Sequence, residues 1–218
     1  MKTKLTISSI AAALFVIIFL VGIIKVGYTF QLITFLVASA FAYNSVRLYG
    51  RMRPECEGKA MKAFVLGFFI FYLAFLFLLT FSVHRNDPHF ILFDKELLET
   101  HIRKRANFVP FHTVNKMLLS GYRPKYVIVN ILGNIAALCP LGVFLPLLFR
   151  SARRLPIFTL YATLTVLFIE LTQLSFGIGS CDIDDLILNV SGAVLMFLFF
   201  KIRFVRSLVF RLLPGIEE

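Results

Sequence analysis

The chain has no tryptophan, little charge and almost no cysteine, and each scarcity removes a class of protein. Charged residues make up 16% of it, against about 25% in soluble domains, too few to coat a freely soluble surface. The three cysteines, Cys56, Cys139 and Cys181, lie far apart, in neither CxxC nor Cys/His ligand spacing, so no zinc or iron–sulfur motif is present. The tryptophan belt that commonly marks a membrane–water interface is missing. No internal repeat and no low-complexity tract is visible.

What the chain has instead is hydrocarbon. Hydrophobic residues reach 59%, mean hydropathy is +0.84, and the apolar residues gather into runs of the roughly 20 needed to cross a bilayer. The expected fold is all-α: a polytopic transmembrane helix bundle of five to six spans, with an extracytoplasmic, partly re-entrant or interfacial loop. The spans fall at about 5–24, 28–46, 64–83, 127–149, 156–174 and 186–200, in one membrane domain over 1–218, with the outer loop at 84–126. The first run follows basic residues, as in a signal peptide, but it is too long for an h-region and lacks a small-x-small site, so it is expected to remain as a helix. The second follows after only Lys25-Val26-Gly27 and is weakened by Gln31 and Asn44, hence five to six. Pro140 and Pro146 inside the fourth run predict a kink, because proline removes a backbone hydrogen bond.

The net charge of +11 would suggest nucleic acid in a soluble protein, but here the positive-inside rule accounts for it and no nucleic-acid partner is expected. With six spans and the N-terminus inside, 14 of the 23 Lys and Arg lie in cytoplasmic segments, whereas eight of the 12 Asp and Glu lie outside or near the outer face. Both termini are then cytoplasmic.

On that topology the unusual polar groups gather at the outer ends of three helices. Asn130 and Asn134 are one turn apart, Glu170 and Gln173 share a face, and Asp182, Asp185 and Asn189 form an i, i+3, i+7 stripe that Gly192 extends. A charge at the centre of a span costs about 2.5–3.5 kcal/mol, and a shared polar pocket would offset that. Blander roles compete: helix capping for Asp182, Asp184 and Asp185, interhelical hydrogen bonds for the amides, packing kinks for the prolines. The histidines, His84, His89, His101 and His112, fit no metal motif and read as interfacial side chains. The segment 105–113 is too short and polar to span and suits a cap folded over the bundle, and 114–120 suits a short interfacial helix.

The order Asn107-Phe108-Val109-Pro110-Phe111, then Asn130, Asn134, Pro140-Leu141-Gly142 and Pro146, then Glu170-Leu171-Thr172-Gln173, then Asp182-Ile183-Asp184-Asp185, Asn189 and Gly192 resembles the VanZ-like membrane proteins over about 105–192. The resemblance implies a multi-pass protein of the bacterial cytoplasmic membrane, similar to the VanZ associated with low-level resistance to the lipoglycopeptide teicoplanin. It supplies no biochemical mechanism. The family usually carries an arginine just before the acidic turn, where this chain reads Gly177-Ile178-Gly179-Ser180, and an aromatic where it has Cys181. Arg105, Arg123 and Lys125 are the nearest outer-side substitutes.

Three functions follow as expectations. In the first, Asn107, Pro110, Phe111, Asn130, Asn134, Glu170, Gln173, Asp182, Asp185 and Asn189 line an outward-facing pocket for a lipid head group, a cell-wall lipid precursor or a lipoglycopeptide, and the protein modulates antibiotic susceptibility without catalysis. In the second, it is a membrane-embedded enzyme acting on a lipid-linked phosphate or lipid anchor, with Glu170 as general base and Asp182 and Asp185 as candidate ligands of Mg2+. A third, proton-coupled transport through Glu170, fits less well, because alternating access usually needs a midplane site.

Overall fold

The computed structural model describes residues 1–25, 28–82 and 90–216. Among them the chain is all-α, with ten α-helices and no strand. Val26, Gly27, the side chain of Gln31, His84 and His89 lie outside the described set. The chain forms two compact units, residues 1–70 with 207–218 and residues 71–206, and the boundaries fall inside helices.

The first unit contains α1 (Lys2–Lys25), α2 (Tyr28–Met52), the first half of α3 (Glu57–Ser82) and the end of α10 (Arg203–Leu212). Helices α1 and α2 pack antiparallel, with Phe15 stacked on Phe41. Asn44, the polar residue that weakens the second run, is satisfied there: its Nδ2 donates to Ser8 Oγ (3.1 Å), which donates on to the Phe41 carbonyl (2.9 Å). An amide in a span is tolerated when a neighbouring helix supplies its partner.

The second unit holds the rest of α3, then α4 (Lys95–Arg105), α5 (His112–Leu119), α6 (Pro124–Ala137), α7 (Leu141–Leu148), α8 (Leu155–Ser175) and α9 (Ile183–Lys201). Helix α9 is its axis and packs against α6, α7 and α8. Two glycines permit that. A Cβ on Gly192 would overlap the Ile135 carbonyl of α6, and one on Gly142 would overlap the α9 backbone at Met196 and Phe197, so α6 and α7 meet α9 backbone to backbone. Helix α8 turns Phe158, Ala162, Val166 and Glu170 inward at successive i+4 steps, with Phe158 stacked on Phe197 at 4.4 Å. Its other face exposes Leu160, Leu164, Leu167, Phe168 and Leu171, the surface a helix presents to acyl chains.

Four described segments are long and apolar enough to cross a membrane: Pro54–Phe77, Pro124–Leu148, Leu155–Ser175 and Ile183–Lys201. They overlap four of the expected runs, the first of them shifted toward the N-terminus relative to 64–83, and the 24-residue α1 and 25-residue α2 run through the other two. The kink expected at Pro140 is a full break, with a turn over 138–140 separating α6 from α7. The groups it frees find partners. Tyr72 Oη donates to the Ala137 carbonyl (2.6 Å), and Cys139 Sγ lies 3.2 Å from the Ile135 carbonyl and 3.4 Å from that of Gly192. Arg153 Nε donates to the Pro146 carbonyl (3.0 Å) at the end of α7.

Candidate functional site

The acidic turn between α8 and α9 is the point at which the polar residues of the second unit meet. Ser175 ends α8, and the chain reverses through Gly177 (φ 63°) and Gly179 (φ 81°) to Cys181 (φ 46°). Gln173 packs its side-chain amide against Gly179, where a Cβ would come within 2.9 Å of Oε1. The segment after α3 lies over this turn: Ile91 N–H donates to the Ser175 carbonyl (2.8 Å), Phe90 meets Phe176 edge-on, and His101 Nε2 donates to the Gly179 carbonyl (3.1 Å).

The 105–113 segment folds over the N-terminus of α9, as a cap should. Asn107 forms a parallel bridge with Asp182, its N–H donating to the Cys181 carbonyl (3.3 Å) and its carbonyl accepting from Ile183 N–H (2.9 Å). Its side chain donates to Asp182 Oδ1 (2.8 Å) and accepts from Val109 N–H (3.0 Å). Thr113 Oγ1 donates to Asp182 Oδ2 (2.5 Å), and Asp182 Oδ1 also caps α9 by accepting from Asp184 N–H (2.9 Å). Three donors therefore hold the buried Asp182 carboxylate, which suits a charge-assisted acceptor.

Asp184 is buried to 2% exposure, and both its oxygens are occupied. It accepts from Phe111 N–H and from Val114 N–H (3.0 Å). These are first-turn donors of α5, whose own N-cap residue Phe111 provides no side-chain cap. Asp184 thus caps α5 from another part of the chain while sitting in the first turn of α9. Two helix N-termini present their partial positive charge to one carboxylate, which accounts for an acid this deep without a cation.

Asp185 points the other way, toward α6 and α8. Its Oδ1 accepts from Asn134 Nδ2, and Oδ2 has no hydrogen bond among the described residues. Glu170, only 8% exposed, lies beside Asp185 and Asp182, with the Asp182 backbone N–H directed at it. Its Oε2 is buried and has no hydrogen-bond partner among the described residues. No lysine, arginine or histidine among the described residues pairs with any of the four acids, the ion pairs Arg47–Glu57 and Lys95–Glu99 lying elsewhere. Arg105, Arg123 and Lys125 are solvent-exposed, so none of them replaces the arginine that the family usually carries.

The other expected residues divide. Asn189 turns back on its own helix, its Nδ2 donating to the Asp185 carbonyl (2.8 Å). Asn130 follows the Asn134 face, half-buried, its side chain without a hydrogen bond among the described residues, and Gln173 borders the turn. Pro110 and the Phe111 ring are exposed, and what Phe111 contributes is its backbone N–H, held at a left-handed φ of 63°. Thr113 and Asp184 join the site although sequence reasoning did not place them there. Among the described residues no three of His, Cys, Asp and Glu are placed to hold a metal ion, and Asp182, a candidate Mg2+ ligand, spends both oxygens on protein donors. The Cys181 thiol, just outside α9, has its pKa raised by burial first and then by the negative charge of Glu170 and Asp182.

No curated protein and no solved structure matches the chain. One family model, described as VanZ/LLP1, matches residues 69–205, nearly the whole of the second unit, 71–206, and it encloses every residue of the acidic site. This chain belongs to the VanZ/LLP1 family of membrane proteins.

Proposed function

We propose that this VanZ-type protein of the bacterial cell envelope binds the polar head of an amphiphile at Glu170 and Asp185, and through that binding modulates susceptibility to teicoplanin-type lipoglycopeptides. The observation that carries the reading is Glu170 Oε2, a buried carboxylate oxygen with no hydrogen-bond partner among the described residues, beside a second acid with an unused oxygen. Leaving a buried acceptor unsatisfied costs about 1–3 kcal/mol, and a ligand that brings a donor removes that cost.

The chemistry also selects among ligands. Four acids without a paired cation repel a bare phosphate and attract groups rich in N–H, above all an ammonium. A lipoglycopeptide, a peptide-bearing cell-wall precursor or an amino-headed lipid offers such donors. Asn130 and Gln173, whose side chains make no hydrogen bond among the described residues, stand nearby to meet amides or sugar hydroxyls. Left-handed backbone at two non-glycine residues, Phe111 and Cys181, flanks the same site, and strain of this kind clusters at binding sites.

The test is equilibrium binding of a fluorescent teicoplanin and of an amine-bearing lipid to the reconstituted protein, for the natural chain and for Glu170→Gln. An amide keeps the shape and removes the charge, so binding should weaken roughly 10-fold or more, as expected for the loss of one charge-assisted hydrogen bond. Equal affinity in the two proteins would remove Glu170 from recognition and the proposal with it.

A further inference from the structure

Past the last candidate span, α10 carries a surface that the acidic site does not use. Lys201 ends α9, and Ile202 leaves helical conformation (φ −59°, ψ 124°), so Arg203–Leu212 starts a new axis where a span meets the interface. Along α10, Phe204, Leu208 and Leu212 recur every four residues and form one ridge. All three are open to solvent, Phe204 at 76%, Leu208 at 48% and Leu212 at 53%. Arg203 and Arg206 lie on the far side of the helix, about 140–160° round from Leu208, and Arg211 flanks the ridge beside Phe204; all three are exposed. The chain holds no acidic residue from 186 to 216, so together with Lys201 these arginines form a purely basic stretch.

An apolar ridge with basic residues behind and beside it, at the end of a span, is the arrangement of a helix lying in the plane of a membrane surface. We propose that α10 is an interfacial helix that inserts Phe204, Leu208 and Leu212 among the acyl chains and sets Arg203, Arg206 and Arg211 at the head groups, with preference for a leaflet rich in anionic lipid. The charge argues for lipid over a second copy of the chain, because a copy of α10 would bring the same positive charge to the contact. Basic residues next to a span attract anionic head groups, and the effect weakens within a Debye length.

The absence of tryptophan makes the test direct, since F204W supplies the only indole in the chain. Reconstituted in phosphatidylcholine vesicles with and without phosphatidylglycerol, and with lipid brominated near the head group, F204W should emit at blue-shifted wavelengths and resist acrylamide. Bromolipid should quench it about twofold or more, and more deeply with phosphatidylglycerol present. In the F204W chain that also carries R203Q and R211Q, the phosphatidylglycerol effect should shrink. An indole that acrylamide reaches and bromolipid does not would overturn the proposal. So would one that neither quencher reaches, which means a protein contact, or bromolipid quenching indifferent to phosphatidylglycerol. L208W provides an independent reporter on the same ridge should F204W fail to fold.

Discussion

Asp184→Ala is the sharpest perturbation of the architecture, because Asp184 holds a capping segment to a transmembrane helix through two bonds. At 2% exposure it accepts from the N–H groups of Phe111 and Val114, and the N-cap residue of α5, Phe111, makes no side-chain cap of its own. A hydrogen bond to a charged group is worth about 1.5–3 kcal/mol, and replacing an N-cap with alanine costs about 0.5–2 kcal/mol. Some of the loss is recovered as the segment lifts and its N–H groups meet water, so a net cost of about 3–5 kcal/mol is expected for the docking of residues 107–119. In hydrogen exchange on the purified protein, the amides of Phe111 and Val114 should lose roughly 100- to 5,000-fold of their protection, while the α8–α9 contact around Phe158 and Phe197 keeps its own. Asp184→Asn retains one acceptor and should show about half the energetic loss. Unchanged exchange at Phe111 and Val114 in Asp184→Ala would refute the trans-capping argument, and loss of protection throughout α8 and α9 would show that the acid supports the whole bundle instead.

Three further outcomes follow. Tyr72→Phe leaves the Ala137 carbonyl at the α6–α7 break without its donor and should lower stability by about 1–3 kcal/mol, read as a fall in the thermal midpoint in detergent. Gly192→Ala places a Cβ on the Ile135 carbonyl, so α6 must move off α9 and the Asn134–Asp185 bond stretch; the expected cost is about 1–3 kcal/mol or more, and a variant as stable as the natural chain would contradict the close approach. For Cys181 the raised pKa lowers the thiolate fraction at any given pH, so maleimide labelling should rise with pH along a curve displaced upward from that of an ordinary thiol; Glu170→Gln removes one negative neighbour and should move the curve back down, whereas a fixed curve would mean that Glu170 carries no charge felt at Cys181.

The helical class, the apolar runs and the family pattern were legible in the sequence because each is carried by local composition or by spacing along the chain. A distortion at Pro140 was legible for the same reason, since the missing N–H is a property of one residue; that it is a full break and not a kink was not, because that depends on the partners the freed groups find. The convergence of Asn134, Glu170 and Asp185 was partly legible, because an acid in an apolar helix must find polar company somewhere. The parts that escaped depend on contacts distant in sequence. Asp184 looked like an ordinary first-turn acid of α9, and only the placement of α5 over it makes it a cap for another helix. Thr113 is unremarkable until it reaches Asp182, 69 residues on. Asn189 shares the stripe of Asp185, yet its side chain reaches no further than its own preceding turn; a helical stripe specifies a face and leaves the hydrogen-bond partner open.

Hydrogen-bond capacity divides the four acids into two pairs with different work. Asp182 and Asp184 receive five bonds between them, from Asn107, Thr113, the Asp184 N–H, Phe111 and Val114, and their task is to fasten the cap to α9. Asp185 and Glu170 receive far less from the protein, one side-chain bond from Asn134 and the approach of one backbone N–H, and both belong to the part of the site that faces α6 and α8. A structural acid is stabilised by saturating its acceptors, whereas a binding acid must keep some unused, so free capacity at Glu170 and Asp185 is what a ligand site requires and what a capping site excludes. The division also explains how the chain manages without an arginine before the turn. The saturated pair needs no cation because hydrogen-bond donors of the protein already surround it, and on the proposed function the unsaturated pair takes its donor from the ligand. Substituting arginine at Ser180 should therefore occupy the Glu170 side of the site and compete with an amine ligand, while the exchange protection of Phe111 and Val114 stays as it was; loss of that protection with ligand affinity intact would reverse the assignment of the two pairs.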